Sequence, residues 1–251
     1  MLSWDEILLK GQEKINTGKT VLSLDDFRFE RGKASIFHIP RLDIEEHSIV
    51  GIIGNNGVGK TTFISSLIGL LKYQGDVIID THQVKRKILT KKGFLVMQDV
   101  NRQLFGSTVS EEVSLGMKEK KEDRINELLK EFKLEELKSK HPATLSGGQK
   151  QRLAIASAIY SQKQFLYFDE PTSGLDKQSM IAFSNILLHI RDKAKCIFVI
   201  THDPELLFSC ADFILKLEDN QVYDYYPMDR KGIEKTKCYF YDAYTKGAVE
   251  C

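Results

Sequence analysis

The sequence lacks a charge excess of either sign. Its 36 Lys and Arg face 35 Asp and Glu, for a formal net charge of +1. Proteins held to nucleic acid by phosphate neutralisation carry a basic surplus, so no nucleic-acid partner is expected. Also missing is any apolar run of about 18 residues, the length a membrane-crossing helix needs. The stretch MLSWDEILLKGQEK carries Asp5 and Glu6 and has no small-residue cleavage site, which argues against a secretory signal. Cysteine is scarce, and Cys196, Cys210, Cys238 and Cys251 form no C-x-x-C pair. Neither a disulfide framework nor a zinc site is expected, and the thiols read as reduced. Internal repeats and low-complexity tracts are absent.

What remains is an ordinary globular composition. The 251 residues are 42% apolar and 28% charged, enough for one large domain or a core domain with a smaller insert. Apolar residues alternate in LSLDDFRF, 22–29, and in ASIFHIPRLDI, 34–44, as in half-exposed strands. SIVGIIG, 48–54, is a continuous apolar run of the kind buried in a central sheet. The stretch TTFISSLIGLL then places Phe63, Leu67, Leu70 and Leu71 on one helical face. Further strands are predicted at 75–80, 93–97, 165–168 and 196–200, with a helix between the last two. Strand, helix, strand in that order implies a parallel sheet and an α/β fold. Residues 108–140 are rich in Glu, Lys and Leu at helical spacing. The division expected is a lead-in over 1–20, a core from 21–98 and 156–222, a helical insert over 99–155, and a tail over 223–251. The tail is aromatic, then Lys-rich, without a clear period.

Two stretches carry chemistry. GNNGVGKT, 54–61, fits G-x-x-x-x-G-K-[ST] after a buried strand and before a helix, the setting of a phosphate-binding loop. Its glycines let backbone N–H groups turn toward one anion, and the following helix adds its N-terminal partial charge. Lys60 is expected on the β- and γ-phosphates and the Thr61 hydroxyl on Mg²⁺. Gly54, Asn55, Asn56, Gly57, Val58, Gly59, Lys60, Thr61 and Thr62 together form the expected nucleotide cradle. The second stretch is FLYFDEP, 165–171, a buried strand ending in two carboxylates. In parallel sheets that strand end is where ligands bind. Asp169 is expected to hold Mg²⁺, and Glu170 to take a proton from the attacking water.

LSGGQKQR, 145–152, resembles the signature motif of ABC-type ATPases, and its Gln149 lies 20 residues before Asp169. Other family motifs follow in order. Gln98 after GFLVM resembles the Q-loop glutamine, SGLD at 173–176 the D-loop, and His202 after CIFVIT the switch histidine. Phe29 lies 25 residues before Gly54, where the family places an aromatic that stacks on adenine, although a core aromatic fits the same pattern. The resemblance covers about residues 22–222. It implies a P-loop NTPase core with a mainly parallel sheet, an N-terminal antiparallel β subdomain and a helical insert. ATP and Mg²⁺ are the implied substrate and cofactor. Glu170, His202 and Gln98 are the implied catalytic residues, with Thr61, Gln98 and Asp169 on the metal.

Ser146, Gly147, Gly148 and Gln149 would face the nucleotide of a second chain. Two glycines and a serine at a helix start also expose N–H and O–H donors to an anion. The resemblance thus implies a head-to-tail homodimer, or a heterodimer with another ABC ATPase.

QDVNRQLFGSTVSEEVSLG, 98–116, is similar to the Q-loop stretch of energy-coupling-factor and cobalt-type importer ATPases. That implies the ATPase of an importer of a vitamin or metal ion, working with integral-membrane subunits at the cytoplasmic face of the membrane. An export-complex ATPase is the alternative, and a cytosolic non-transport ATPase is less favoured. Leu104 and Phe105 are large apolar residues in a polar loop; either they pack locally or they seat a membrane subunit's helix. The lead-in resembles the linker before the second half of a tandem-fused energy-coupling ATPase. A dimer-stabilising C-terminal domain is not expected.

Overall fold

The computed structural model describes residues 18–31, 35–173, 176–219 and 221–247. The lead-in call falls almost entirely outside them, as do Gly174 and Leu175 of the D-loop call. Among the described residues the chain forms a ten-stranded sheet with helices on both faces, which is the expected α/β P-loop fold.

The antiparallel part comes first. β1 (Thr20–Arg31) pairs with β2 (Ser35–Glu45) and with β4 (Gln74–Ile79), and β4 pairs with the short β5 (His82–Gln83). Alternation explains β2: Phe37, Ile39 and Ile44 are buried, while His38 and Pro40 lie toward solvent. The parallel part is built from β3 (Ser48–Ile53), β6 (Gly93–Val96), β7 (Phe165–Asp169), β8 (Cys196–Ile200) and β9 (Phe213–Glu218). β3 lies between β8 and β9, and β7 lies between β8 and β6, all in parallel. Every residue of β3 and β8 is buried, as their unbroken apolar sequences require. β10 (Gln221–Pro227) pairs antiparallel with β9 and joins the two halves through one bridge to β2.

The helix after the phosphate loop, α1 (Lys60–Leu67), is shorter than the apolar pattern predicts. Gly69 turns the chain with φ +83°, so Phe63 and Leu67 are buried while Leu70 and Leu71 are exposed. α2 (Arg86–Lys92) leads into β6. Between β6 and β7 lie α3 (Val109–Val113), α4 (Glu122–Glu131) and α5 (Gly147–Tyr160), with short 3-10 turns between them. Their apolar faces form one core with the helices on that side of the sheet. α6 (Lys177–Ile190) precedes β8, and α7 (Pro204–Cys210) follows it.

The C-terminal stretch is more ordered than its sequence suggests. β9, β10 and α8 (Arg230–Gly247) form a separate apolar cluster with α7, built on Ile53, Leu207, Ile214, Tyr226, Ile233 and Phe240. The thiols of Cys196 and Cys210 are buried and that of Cys238 is exposed. No helix of the described residues is long and apolar enough to cross a membrane.

Candidate active site

The phosphate loop leaves the C-terminal end of β3 and enters α1. Gly57 and Gly59 have φ of +76° and +108°, backbone states that a side chain disfavours. Such turns let successive backbone N–H groups face one anion, and within the loop the Val58 N–H donates to the Asn55 carbonyl at 3.2 Å. Lys60, the first residue of α1, is 8% exposed. Its Nζ donates to the carbonyl oxygens of Gly54 (2.7 Å) and Asn55 (3.3 Å), and lies 3.1 Å from His202 Nε2. Burial pulls its pKa down, against the charges of Glu170 and Asp169.

The strand-end carboxylates come from β7. Thr61 Oγ1 donates to Asp169 Oδ2 at 3.0 Å. One hydroxyl and one carboxylate brought this close are hard oxygen donors, the set that suits Mg²⁺ with additional waters and phosphate oxygens. No group of three or more His, Cys, Asp or Glu among the described residues forms a metal cage of its own. A site finished by waters and phosphates fits both observations.

Glu170 adopts φ +48°, an uncommon state for a residue with a side chain. Its N–H donates to the carbonyl of Ile200, the last residue of β8, at 3.0 Å, which ties the turn beyond the end of β7 to the neighbouring strand. Its Oε1 lies 3.3 Å from His202 Nε2. Burial raises the Glu170 pKa above the ordinary carboxylate value, despite the nearby Lys60 charge. Burial, helped by Lys60, lowers that of His202. A neutral histidine beside a carboxylate poised to take a proton is the resulting arrangement. Gln98, Glu170, Thr172, Ser173 and His202 line a cavity of about 560 Å³ together with Asn56 of the phosphate loop. Thus Lys60, Thr61, Gln98, Asp169, Glu170 and His202, predicted from separate stretches, converge. Thr172 and Thr201 line the same cavity without having been singled out; as single threonines they gave no sequence signal.

Two expectations turn out differently. Phe29 is 2% exposed and packs in the core. Its ring stacks on Phe37 (centroids 4.8 Å apart) and lies 6.2 Å from Phe63, so it is enclosed in an aromatic core rather than open to adenine. The reading of Phe29 as an adenine-stacking residue is therefore corrected to a core role. Of the pair in the polar loop, Leu104 packs against the helical core whereas Phe105 is 76% exposed.

The signature residues do not line the cavity around Glu170. Ser146 caps α5 in a capping box: its Oγ accepts from the Gln149 N–H, and Gln149 Oε1 accepts from the Ser146 N–H at 2.9 Å. Gly147 and Gly148 face open space, since a Cβ on either would meet nothing within 4 Å.

A phosphate loop between a buried parallel strand and a helix, opposed by a strand-end carboxylate pair, defines a P-loop nucleoside-triphosphate-binding protein. Within that class the chain belongs to the ABC transporter family and carries its ATP-binding part; the family's pattern matches residues 37–173. A Treponema denticola protein named as an ABC transporter ATP-binding protein is 37% identical over 209 residues, covering 83% of this chain and 43% of the relative. The chain spans less than half the length of that relative and of a second from the same organism (44%). The energy-coupling factor transporter ATP-binding protein EcfA1 of Thermotoga maritima is 36% identical over 186 residues, 72% of this chain and 71% of the relative. Among solved structures, cbiO1 from Clostridium perfringens, described as part of the ABC transporter complex cbiONQ, superposes with a TM-score of 0.73. Its sequence identity is 27%, over 83% of this chain and 88% of that one.

Proposed function

We propose that the chain hydrolyses ATP to drive a membrane importer of the energy-coupling-factor type, whose cargo is a vitamin or a metal ion. The convergence of Lys60, Asp169, Glu170 and His202 on one strand edge carries the hydrolytic part of this reading. The likeness to EcfA1 and cbiO1 supports the transport part.

In this mechanism the loop N–H groups and the Lys60 ammonium hold the β- and γ-phosphates and stabilise charge on the phosphoryl group in transfer. Thr61 and Asp169 would hold Mg²⁺, which neutralises phosphate charge when bound. Glu170 accepts the proton of the attacking water, and His202 orients that water beside it. Gln98 lines the same cavity and carries its state toward the helical insert. Ser146, Gly147, Gly148 and Gln149 complete the nucleotide site of a second ATPase chain, identical or different. The exposed Phe105 is then a contact for an integral-membrane subunit, which places the chain peripherally at the cytoplasmic face of the membrane.

Reconstitution tests this reading. The chain, co-expressed with candidate membrane subunits and placed in proteoliposomes with ATP outside, faces the medium as it would the cytoplasm. The expected result is Mg²⁺-dependent phosphate release and movement of a labelled vitamin or metal ion from the lumen toward the ATPase side. Accumulation of cargo in the lumen would instead identify an exporter, and hydrolysis that never engages a membrane subunit would remove the transport role.

A further inference from the structure

Helix α5, which begins at the signature glycines, buries the polar side chains of Gln151 and Ser157 among its apolar ones. A buried polar group needs a partner. Ser157 finds its own within the helical insert, with Oγ 3.0 Å from the Leu153 carbonyl oxygen and 3.1 Å from that of Glu112. Gln151 reaches out of the insert instead. Its side-chain N–H donates to the carbonyl oxygen of Pro171, 20 residues further along the chain. Pro171 is buried and directly follows Glu170. Proline has no N–H, so this carbonyl is the only backbone group with which Pro171 can hydrogen-bond.

The contact falls on a turn that needs holding. Glu170 has φ +48°, a backbone state that persists only where the surroundings enforce it. On one side, the Glu170 N–H is tied to the Ile200 carbonyl of β8 at 3.0 Å. On the other, the Pro171 carbonyl is tied to the Gln151 amide of α5. The Ser173 N–H also donates to the Glu170 carbonyl at 3.3 Å, but that bond lies within the turn and anchors it to neither neighbour. Gln151 itself does not line the cavity around Glu170. We propose that Gln151 is a positioning residue for hydrolysis: its amide fixes the turn after β7 and thereby aims the Glu170 carboxylate. Gln151 sits one helical turn beyond Gly147 and Gly148, so the helix start that faces open space also carries the anchor of the base. This inference rests on the reading of Glu170 as the general base.

Gln151→Met keeps the length of the side chain and removes the donor. In the full chain it should lower kcat for ATP about tenfold, since small misplacements of a reacting group are costly. Kd for a fluorescent ATP analogue and KM should move less than about twofold, because the phosphate loop is untouched. Residues that act through one another are not additive, so in a Glu170→Gln background the same change should alter the residual single-turnover rate less than about twofold. Ile155→Val trims the packing of the same helix and leaves Gln151 in place; it should lower Tm and spare kcat. If the Met variant does not fold, Gln151→Asn, which draws the amide back by one methylene, carries the same comparisons. A kcat within about twofold of wild type would overturn the inference. So would a tenfold loss repeated in the Glu170→Gln background, or an equal kcat loss in Ile155→Val. Near-wild-type turnover of Glu170→Gln alone would instead strike the general-base reading, and this inference with it.

Discussion

Glu170→Gln is the most informative single change in the proposed hydrolytic centre. The amide keeps the size and most of the contacts of the carboxylate but cannot take a proton from water. A positioned general base contributes about 10²- to 10⁴-fold, or roughly 2.7–5.4 kcal/mol of barrier. Phosphate release at saturating ATP should therefore fall at least about a hundredfold. Binding of ATP should persist, because Lys60 and the loop are untouched. Two pH signatures accompany the loss. The base must be ionised to work, and burial raises its pKa above the ordinary carboxylate value. The wild-type rate should thus decline with acidification through a midpoint above 4.5, that ordinary value. The stability effect has the opposite sense. A carboxyl whose pKa is raised by folding is best tolerated when protonated, so its contribution is lost as pH rises through the folded-state value. Near neutral pH, Glu170→Gln should melt no lower than wild type, and higher if nothing else changes. Turnover within about tenfold of wild type would assign the base elsewhere. A marked fall in Tm near neutral pH would mean that the ionised carboxylate stabilises the fold, contrary to its buried setting.

Phe29→Leu should lower Tm through a core cavity, at a cost below the roughly 3–5 kcal/mol of a full Phe→Ala truncation, and leave ATP affinity unchanged. A weakened ATP affinity at preserved stability, measured by titration, would restore the adenine-stacking role. Phe105→Ser should leave Tm and ATP binding near wild type, since the ring is 76% exposed. It should also weaken co-purification with the membrane subunits; full retention would free Phe105 from the interface.

Legibility followed burial. β3 and β8 stood out because both faces of each strand are covered, leaving an apolar run that polar residues do not interrupt. The residues proposed for hydrolysis stood out because phosphate and water chemistry demands particular groups at strand ends. What sequence distance alone misjudged was facing. Phe29 has the right spacing from the loop, yet Phe27 and Phe29, two residues apart on β1, point to the same buried side. The helix after the loop was overextended because Leu70 and Leu71 continue its period beyond a glycine turn at Gly69. The C-terminal elements were unread for a local reason. β10 shifts register between Val222 and Asp224, which breaks the alternation that marks a strand. α8 buries Ile233, Thr236 and Phe240, a stripe with a threonine in its middle and two apolar residues a full seven positions apart.

The signature glycines pose a question that the chain's own packing leaves open. Gly147 and Gly148 are the first two residues of α5, and neither has a positive φ. Neither would clash with a Cβ, because nothing lies within 4 Å of one. Glycine is less favourable than alanine in a helix by up to about 1 kcal/mol, so this fold would tolerate alanine and even gain by it. A small residue here is explained by something outside the chain that must approach the backbone closely, and a γ-phosphate held by a second ATPase chain fits. Gly148→Ala should therefore raise the Tm of the isolated protein slightly while lowering ATP turnover several-fold or more. Thermal melts and phosphate-release rates on one preparation give both numbers. Raised stability with full activity would show that nothing docks at this helix start during turnover, and the shared site would have to be abandoned. A lowered Tm would mean instead that the glycines serve the fold, in a way the open space around them does not account for.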